Sequence, residues 1–182
     1  MSTPYSQENE DFTNKAHAAA ERLIYPGVFG VPWERMKFVN VTKTGWDLDH
    51  GVDYIVQIAC GRRLPIEVTV QERFRRPDKA SFQDLTITEW NPVTNESSEL
   101  YKIKAFYMLY GYFDPGASRF IYAVCVNVPD LLLAITSGVV GTGRNSNPRS
   151  KQPFVSISFS EMERVGVLRW QQSASPTRGT YR

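Results

Sequence analysis

The sequence is poor in everything that staples a chain or inserts it into a membrane. Its 182 residues contain two cysteines, Cys60 and Cys125, too few for a disulfide framework or a thiolate zinc site. No apolar run approaches the ~18 residues that a spanning helix needs, so a membrane protein is not expected. The opening MSTPYSQENEDF lacks a basic region followed by an apolar stretch, so no export leader is expected and a reducing cytoplasm is the default setting. In that setting the sequons Asn40-Val-Thr42 and Asn95-Glu-Ser97 carry no meaning. With only His17 and His50, a histidine-dependent mechanism has few places to sit, and no Ser-His-Asp arrangement is suggested by spacing. There is no internal repeat.

What is present is the composition of an ordinary globular protein, 42% hydrophobic and 22% charged, at a length of about one domain. The net charge of +2 conceals an asymmetry. Glu8, Glu10 and Asp11 stand in the first eleven residues without a base. Beyond them, 21 Lys and Arg face 16 Asp and Glu, or +5. Four of the seven residues from Arg73 to Lys79 are basic, and Arg144, Arg149 and Lys151 form a thinner cluster. Clustered arginine is how a phosphate-binding surface begins, although net charge alone decides nothing here.

Three stretches follow from these patterns: a loose acidic N-terminus (1–11), one domain (12–170) and a flexible polar tail (171–182). Asp11–Ile24 is rich in helix formers, with Ala16, Ala19, Ala20, Leu23 and Ile24 as an apolar face, His17 on the surface and Tyr25-Pro-Gly27 as its end. Residues 26–37 read as a loop and Asp47–Gly51 as a turn. Val52–Ala59 and Pro65–Phe74 read as two strands of a β-hairpin, the second alternating Ile66, Val68 and Val70 against Glu67, Thr69 and Gln71. Another strand is expected at Asp84–Trp90. Tyr101–Tyr112 fits helix or strand. Phe120–Val128 and Phe154–Phe159 read as strands, and Pro129–Ser137 as a helix opened by Pro. Gly138–Gln152 reads as a loop whose Gly-rich run lacks a Gly-Lys-Ser/Thr ending, Glu161–Val165 as a short turn and Cys125 as core. The order gives an α/β or α+β sheet with helices around it.

The hairpin permits some geometry. A turn centred near Arg62 makes partner numbers total about 124, which sets Gln57 opposite Glu67 and Asp53 opposite Gln71. Asp53 and Gln71 then form one polar spot at the open end, with Arg73 two residues further along the same face. A slip of one residue would destroy that pairing.

An acid opening a strand, a turn, then an acid or amide two residues before a base is the pattern of the PD-(D/E)XK nuclease superfamily. The sequence resembles it in Gly51-Val-Asp53-Tyr-Ile-Val and Ile66-Glu-Val-Thr-Val-Gln71-Glu-Arg73-Phe-Arg75, with Phe82–Ile87 similar to the strand that follows. The resemblance covers roughly residues 12–160. It implies a restriction-endonuclease-like αβββαβ core, a central mixed sheet flanked by helices, and Mg²⁺-dependent (or Mn²⁺-dependent) hydrolysis of DNA. Asp53 takes the place of the central metal-binding aspartate, Gln71 that of the second acidic ligand and Arg73 that of the lysine. Glu21 is the candidate acid from the first helix, and Arg75, Arg76 and Lys79 are the candidate DNA-backbone contacts. Carboxylates suit the chemistry because Mg²⁺ takes hard oxygen ligands and keeps several waters. Two departures stand out: Gln71 brings no charge, so Glu21, Asp49 or Glu72 must compensate, and Arg73 cannot act as a base.

Each residue also has a plainer reading. Asp53 after a glycine fits a turn aspartate, Gln71 and Arg73 a solvated strand face, Glu21 a surface helix position, and the basic loop mere solvation. Asp47, Asp49 and His50 fit a turn better than a metal site. The series Phe106, Tyr107, Tyr110, Tyr112 and Phe113 fits a core or an interface better than a base-stacking surface. Two further readings therefore stand beside the nuclease: a catalytically degenerate domain that binds nucleic acid or protein, and an unrelated α+β interaction protein, with a homodimer through Tyr101–Phe113 as one form.

Overall fold

The computed structural model describes residues 7–61, 63–92, 95–97, 99–147 and 151–173. In chain order, helices α1 (Gln7–Leu23) and α2 (Tyr25–Phe29) precede strand β1 (Met36–Asn40) and helix α3 (Gly45–His50). Strands β2 (Tyr54–Ile58), β3 (Ile66–Arg75), β4 (Asp84–Thr88), β5 (Trp90–Asn91) and β6 (Glu96–Ser97) follow. Helix α4 (Glu99–Lys102) leads into strands β7 (Tyr107–Asp114) and β8 (Arg119–Asn127), then helix α5 (Val128–Thr136). Strands β9 (Gly143–Ser146) and β10 (Pro153–Ser158), helix α6 (Phe159–Arg164) and strand β11 (Leu168–Ser173) complete the described chain.

A mixed sheet in the order β1-β2-β3-β7-β8-β11 forms the centre. Strands β1, β2 and β3 are an antiparallel meander, β7 lies parallel to β3, and β8 and β11 continue antiparallel. A parallel neighbour requires a crossover, which here runs through β4, β5, β6 and α4. The result is the expected α/β fold, a central mixed sheet flanked by helices, but the three strands before the crossover are β1, β2 and β3, and the strand after the hairpin, Asp84–Thr88, is not among them. The hairpin register follows the turn geometry, since Tyr54 pairs with Val70 and Gln57 with Glu67. Gln57 Nε2 also donates to Glu67 Oε1 at 2.7 Å.

Alternation along the strands divides the sheet into two apolar faces. On one, α1 lays Phe12, Ala16 and Ala20 against Val56, Val70, Leu109, Phe113, Phe120, Ala123 and Cys125. Alanines at i and i+4 leave no bulk between helix and sheet, so the two approach closely. On the other face, Met108, Tyr110, Tyr112, Val124 and Val126 meet Leu85 and Ile87 of β4, Val155 and Ile157 of β10, and Leu131 and Met162 from α5 and α6. Helix α5 starts where Asn127 Oδ1 accepts from the Asp130 N–H at 2.9 Å, with Pro129 in its first turn.

Several expectations are corrected. The first helix begins at Gln7, not Asp11, because Glu8 and Glu10 suit its positive N-terminal end. Residues 26–37 are not a loop: α2, a short 3₁₀ turn and the start of β1 occupy them. The Asp47–Gly51 turn is helix α3, capped by Thr44 and closed by Gly51. The strand at Asp84–Thr88 leaves the main sheet and pairs with β10, in a second sheet ordered β4-β10-β9. That sheet contains β9, inside the stretch expected as a loop, and Glu161–Val165 falls largely within α6. Gln171–Ser173, expected in the flexible tail, pair with Val124–Tyr122 of β8. Arg149, of the second basic cluster, lies outside the described residues. Most of the aromatic series is core: Tyr110, Tyr112 and Phe113 are buried in β7, a central strand covered on both faces, while Phe106 just before it is exposed. Among the described residues, no helix is long and apolar enough to cross a membrane.

Candidate functional site

Strand β2 runs out at its N-terminal end before β3 does, and a cleft of about 630 Å³ opens there. Asn40, Asp53, Tyr54 and residues Gln71–Arg75 form its floor. Glu10, Thr13 and Asn14 of α1, Thr42, Lys43 and Asp47 beside α3, and Glu99 of α4 form its walls.

Asp53 is fixed on both sides by backbone. Its N–H donates to the Val70 carbonyl at 3.0 Å, and its carbonyl accepts from the Val41 N–H at 2.9 Å. Because β2 begins only at Tyr54, the Glu72 N–H on that edge of β3 lies beyond its pairing, and Asp53 Oδ2 accepts it at 2.7 Å. Burial pushes the Asp53 carboxyl up to about 7; the Glu72 N–H pulls it down, while the charges of Glu72, Asp47 and Glu99 push it further up. Arg73, on which the charge of Asp53 also acts, is ion-paired with Glu99 instead.

Gln71 and Arg73 share the face of β3 that carries Met108 and Tyr110 on the neighbouring strand. Gln71 Oε1 is buried and has no hydrogen-bond partner among the described residues. It lies close under Gly51: a Cβ there would meet Gln71 Oε1 at 2.8 Å, and φ is +56°. Glycine is favoured at that position by its left-handed φ. Arg73 Nη1 donates to Glu99 Oε2, which also accepts from the Thr88 N–H at 3.5 Å and the Thr88 hydroxyl at 3.4 Å. Burial works against the Arg73 charge, but Glu99 more than offsets it, so the guanidinium pKa is raised. Arg75 donates to the Tyr110 hydroxyl at 3.2 Å and lies 3.9 Å from Asp84.

Thus the structure brings Asp53, Gln71, Arg73 and Arg75 into one cleft. Arg76 and Lys79 do not line it: Arg76 pairs with Glu8 at 2.9 Å and lies over the Phe12 ring, and Lys79 pairs with Asp78 at 2.9 Å. Glu21 does not line it either. It is 2.9 Å from His17 Nε2, and the α1 acid that reaches the cleft is Glu10. Eleven residues of helix separate the two, or ~16 Å of rise, so one cannot stand in for the other.

The opposite phase of β3 carries a second polar cluster. Glu72 falls among Val68, Val70 and Phe74 on the α1 face and is almost fully buried. Its carboxylate accepts from the Tyr25 hydroxyl at 2.7 Å and meets His17 Nδ1 at 2.9 Å. His17, expected on the surface, stacks on Tyr54 at 3.8 Å between centroids and bridges Glu72 to Glu21. Burial lowers the His17 pKa, but the two carboxylates outweigh it and raise it overall.

The cleft residues fit a divalent cation as a partial shell. Asp53 and the partnerless Gln71 Oε1 are two hard oxygen donors on one rim, and Mg²⁺ is commonly held by one or two carboxylates plus water and substrate phosphate. Among the described residues, no group of three or more His, Cys, Asp and Glu side chains is gathered to hold a metal. With the Glu72 side chain turned to the α1 face, the lining carries four carboxylates (Glu10, Asp47, Asp53, Glu99) against three cations (Lys43, Arg73, Arg75). The charges nearly balance, and Arg73 is tied to Glu99.

No protein-family profile and no curated protein matches this sequence. One similar solved structure is that of D212, a nuclease from a fusselovirus, at TM-score 0.36 and 8% identity over 92% of this chain and 94% of that one. Similarity at that level assigns neither a fold nor an activity.

Proposed function

We propose that this chain is a Mg²⁺- or Mn²⁺-dependent DNA endonuclease of the PD-(D/E)XK type that hydrolyses phosphodiester bonds at the cleft. The observation that carries the reading is a buried Gln71 Oε1, without a hydrogen-bond partner among the described residues, that shares one cleft with Asp53. Asp53 and Gln71 hold the cation. The Glu72 N–H donates to Asp53 Oδ2 and fixes that carboxylate at the rim. When bound, the cation lowers the pKa of a coordinated water and offsets charge building on the phosphate. Arg73 keeps a fixed positive charge, so it binds and orients the phosphodiester without moving a proton. Arg75, anchored by Tyr110, adds a second phosphate contact.

The pairing of the cleft arginines favours this over metal-free DNA binding, because Glu99 holds Arg73 and Asp84 lies 3.9 Å from Arg75. The expected result is cleavage of duplex, branched or single-stranded DNA that needs Mg²⁺ or Mn²⁺ and falls by about 10²-fold or more in Asp53→Ala. No cleavage of any of these with either metal, together with salt-sensitive DNA binding that ignores the metal, would establish a binding domain instead.

A further inference from the structure

The motif on β3 supplies an amide where a second carboxylate is needed, yet a carboxylate stands in the cleft from outside the motif. Glu99 reaches it from α4, within the crossover that makes β7 parallel to β3. Thr88 of β4 steadies one of its oxygens. The counter-ion of Glu99 is Arg73, the group that the reaction needs on the phosphate. Resting on the cation-dependent reading above, we propose that Glu99 is the second carboxylate of the cation site, and that Arg73 occupies it until a divalent cation arrives and frees the guanidinium for the phosphodiester.

Three observations converge on this. Glu99 and Arg73 both line the cleft, and Arg73 is the guanidinium that answers Glu99. Gln71, two residues before Arg73 on the same face, leaves a donor oxygen partnerless and buried. Asp53 lies close enough to both Arg73 and Glu99 for its charge to act on each. A divalent ion between Asp53 and Glu99 brings twice the charge of the guanidinium and takes oxygen donors directly, so it competes Arg73 away from Glu99. Metal binding and phosphate binding are thereby coupled through one side-chain exchange, and the coupling is reciprocal.

The test is calorimetric titration with Mn²⁺, and separately with a short DNA duplex at low salt without metal, of wild type, Glu99→Gln, Arg73→Gln and Asp53→Asn. In Glu99→Gln, Mn²⁺ affinity falls by about tenfold or more. Metal-free DNA affinity rises by about five- to tenfold, the worth of one arginine–phosphate contact released. A structural Glu99 produces no such opposite pair of changes. In Arg73→Gln, Glu99 is freed and Mn²⁺ binds at least as tightly as in wild type; this arm stands even where Glu99→Gln does not fold. Unchanged Mn²⁺ affinity in Glu99→Gln, or weaker Mn²⁺ binding in Arg73→Gln, overturns the assignment of Glu99 while Asp53 remains the ligand. If wild type takes up no Mn²⁺, or Asp53→Asn retains it, the cation site itself fails and this inference falls with it.

Discussion

Asp53→Asn makes the protein more stable at alkaline pH while removing its cation response. The Asp53 carboxyl moves from 3.8 to about 7 on folding. Between those values the folded chain holds a proton that the unfolded chain has released, so stability falls as pH rises from about 4 through 7, and above 7 the full penalty is present. Three pH units at ~1.36 kcal/mol each set a ceiling of ~4 kcal/mol; Asp53 is partly exposed, and solvent screening brings the expected penalty to about 1–3 kcal/mol at pH 8. Asparagine carries no charge and still offers an oxygen to the Glu72 N–H, so it escapes the penalty without orphaning a backbone group. Urea denaturation of both proteins from pH 4.5 to 8.5 measures this. The curves should converge near pH 4.5 and separate toward pH 8 with the variant above. His17 also loses stability as pH rises, but it is common to both proteins and cancels in their difference. Adding Mn²⁺ at ~100 times its Kd should raise wild type by about 2.7 kcal/mol and leave Asp53→Asn unmoved. A variant no more stable than wild type at pH 8, or one equally stabilised by Mn²⁺, would refute the reasoning.

Gly51→Ala places a methyl 2.8 Å from Gln71 Oε1 at a φ of +56°; it should cost about 1–2 kcal/mol and weaken Mn²⁺ binding, read by denaturation and calorimetry. Glu72→Ala strips the partner from the Tyr25 hydroxyl and from His17, and should cost about 2–4 kcal/mol in urea denaturation. Because the raised His17 pKa adds stability that is full below 6.5 and lost as pH climbs through the raised value, that slope should shrink in Glu72→Ala, where only Glu21 still opposes burial. Gly111→Ala sets a methyl 2.9 Å from the Tyr122 carbonyl oxygen in the central sheet and should lower stability by about 1–3 kcal/mol, measured by thermal unfolding.

What the sequence disclosed, it disclosed locally. The hairpin register was legible because a short turn fixes pairing and Ile66, Val68 and Val70 fix the phase. Asp53, Gln71 and Arg73 fall together as a direct consequence. Strand β1 escaped notice because Met36–Asn40 carries Lys37 and Asn40 exposed and buries only Met36 fully, so alternation is faint. Tyr107–Asp114 resisted assignment for the opposite reason: a strand covered on both faces has no period of two. A strand pattern also says nothing of which sheet will accept it, and Asp84–Thr88 went to the second sheet. Glu10 and Glu99 reach the cleft only through tertiary placement, one by the earlier start of α1 and the other by the crossover, and no spacing rule announces either.

One signal in the sequence did point past the motif. Glu72 stands in phase with Val68, Val70 and Phe74, a carboxylate on the buried side of a strand, and such a group demands partners of its own. His17 on α1 and Tyr25 on α2 supply them, which also explains a histidine among alanines on a helix face that packs on the sheet. The consequence reaches across β3. With the Glu72 side chain clamped on the α1 face, its peptide N–H is held at the rim, where it takes one oxygen of Asp53. The acid in the middle of Gln71-Glu-Arg73 therefore orients the neighbouring strand's aspartate through its backbone, and the charge that it buries helps keep Asp53 wanting a cation.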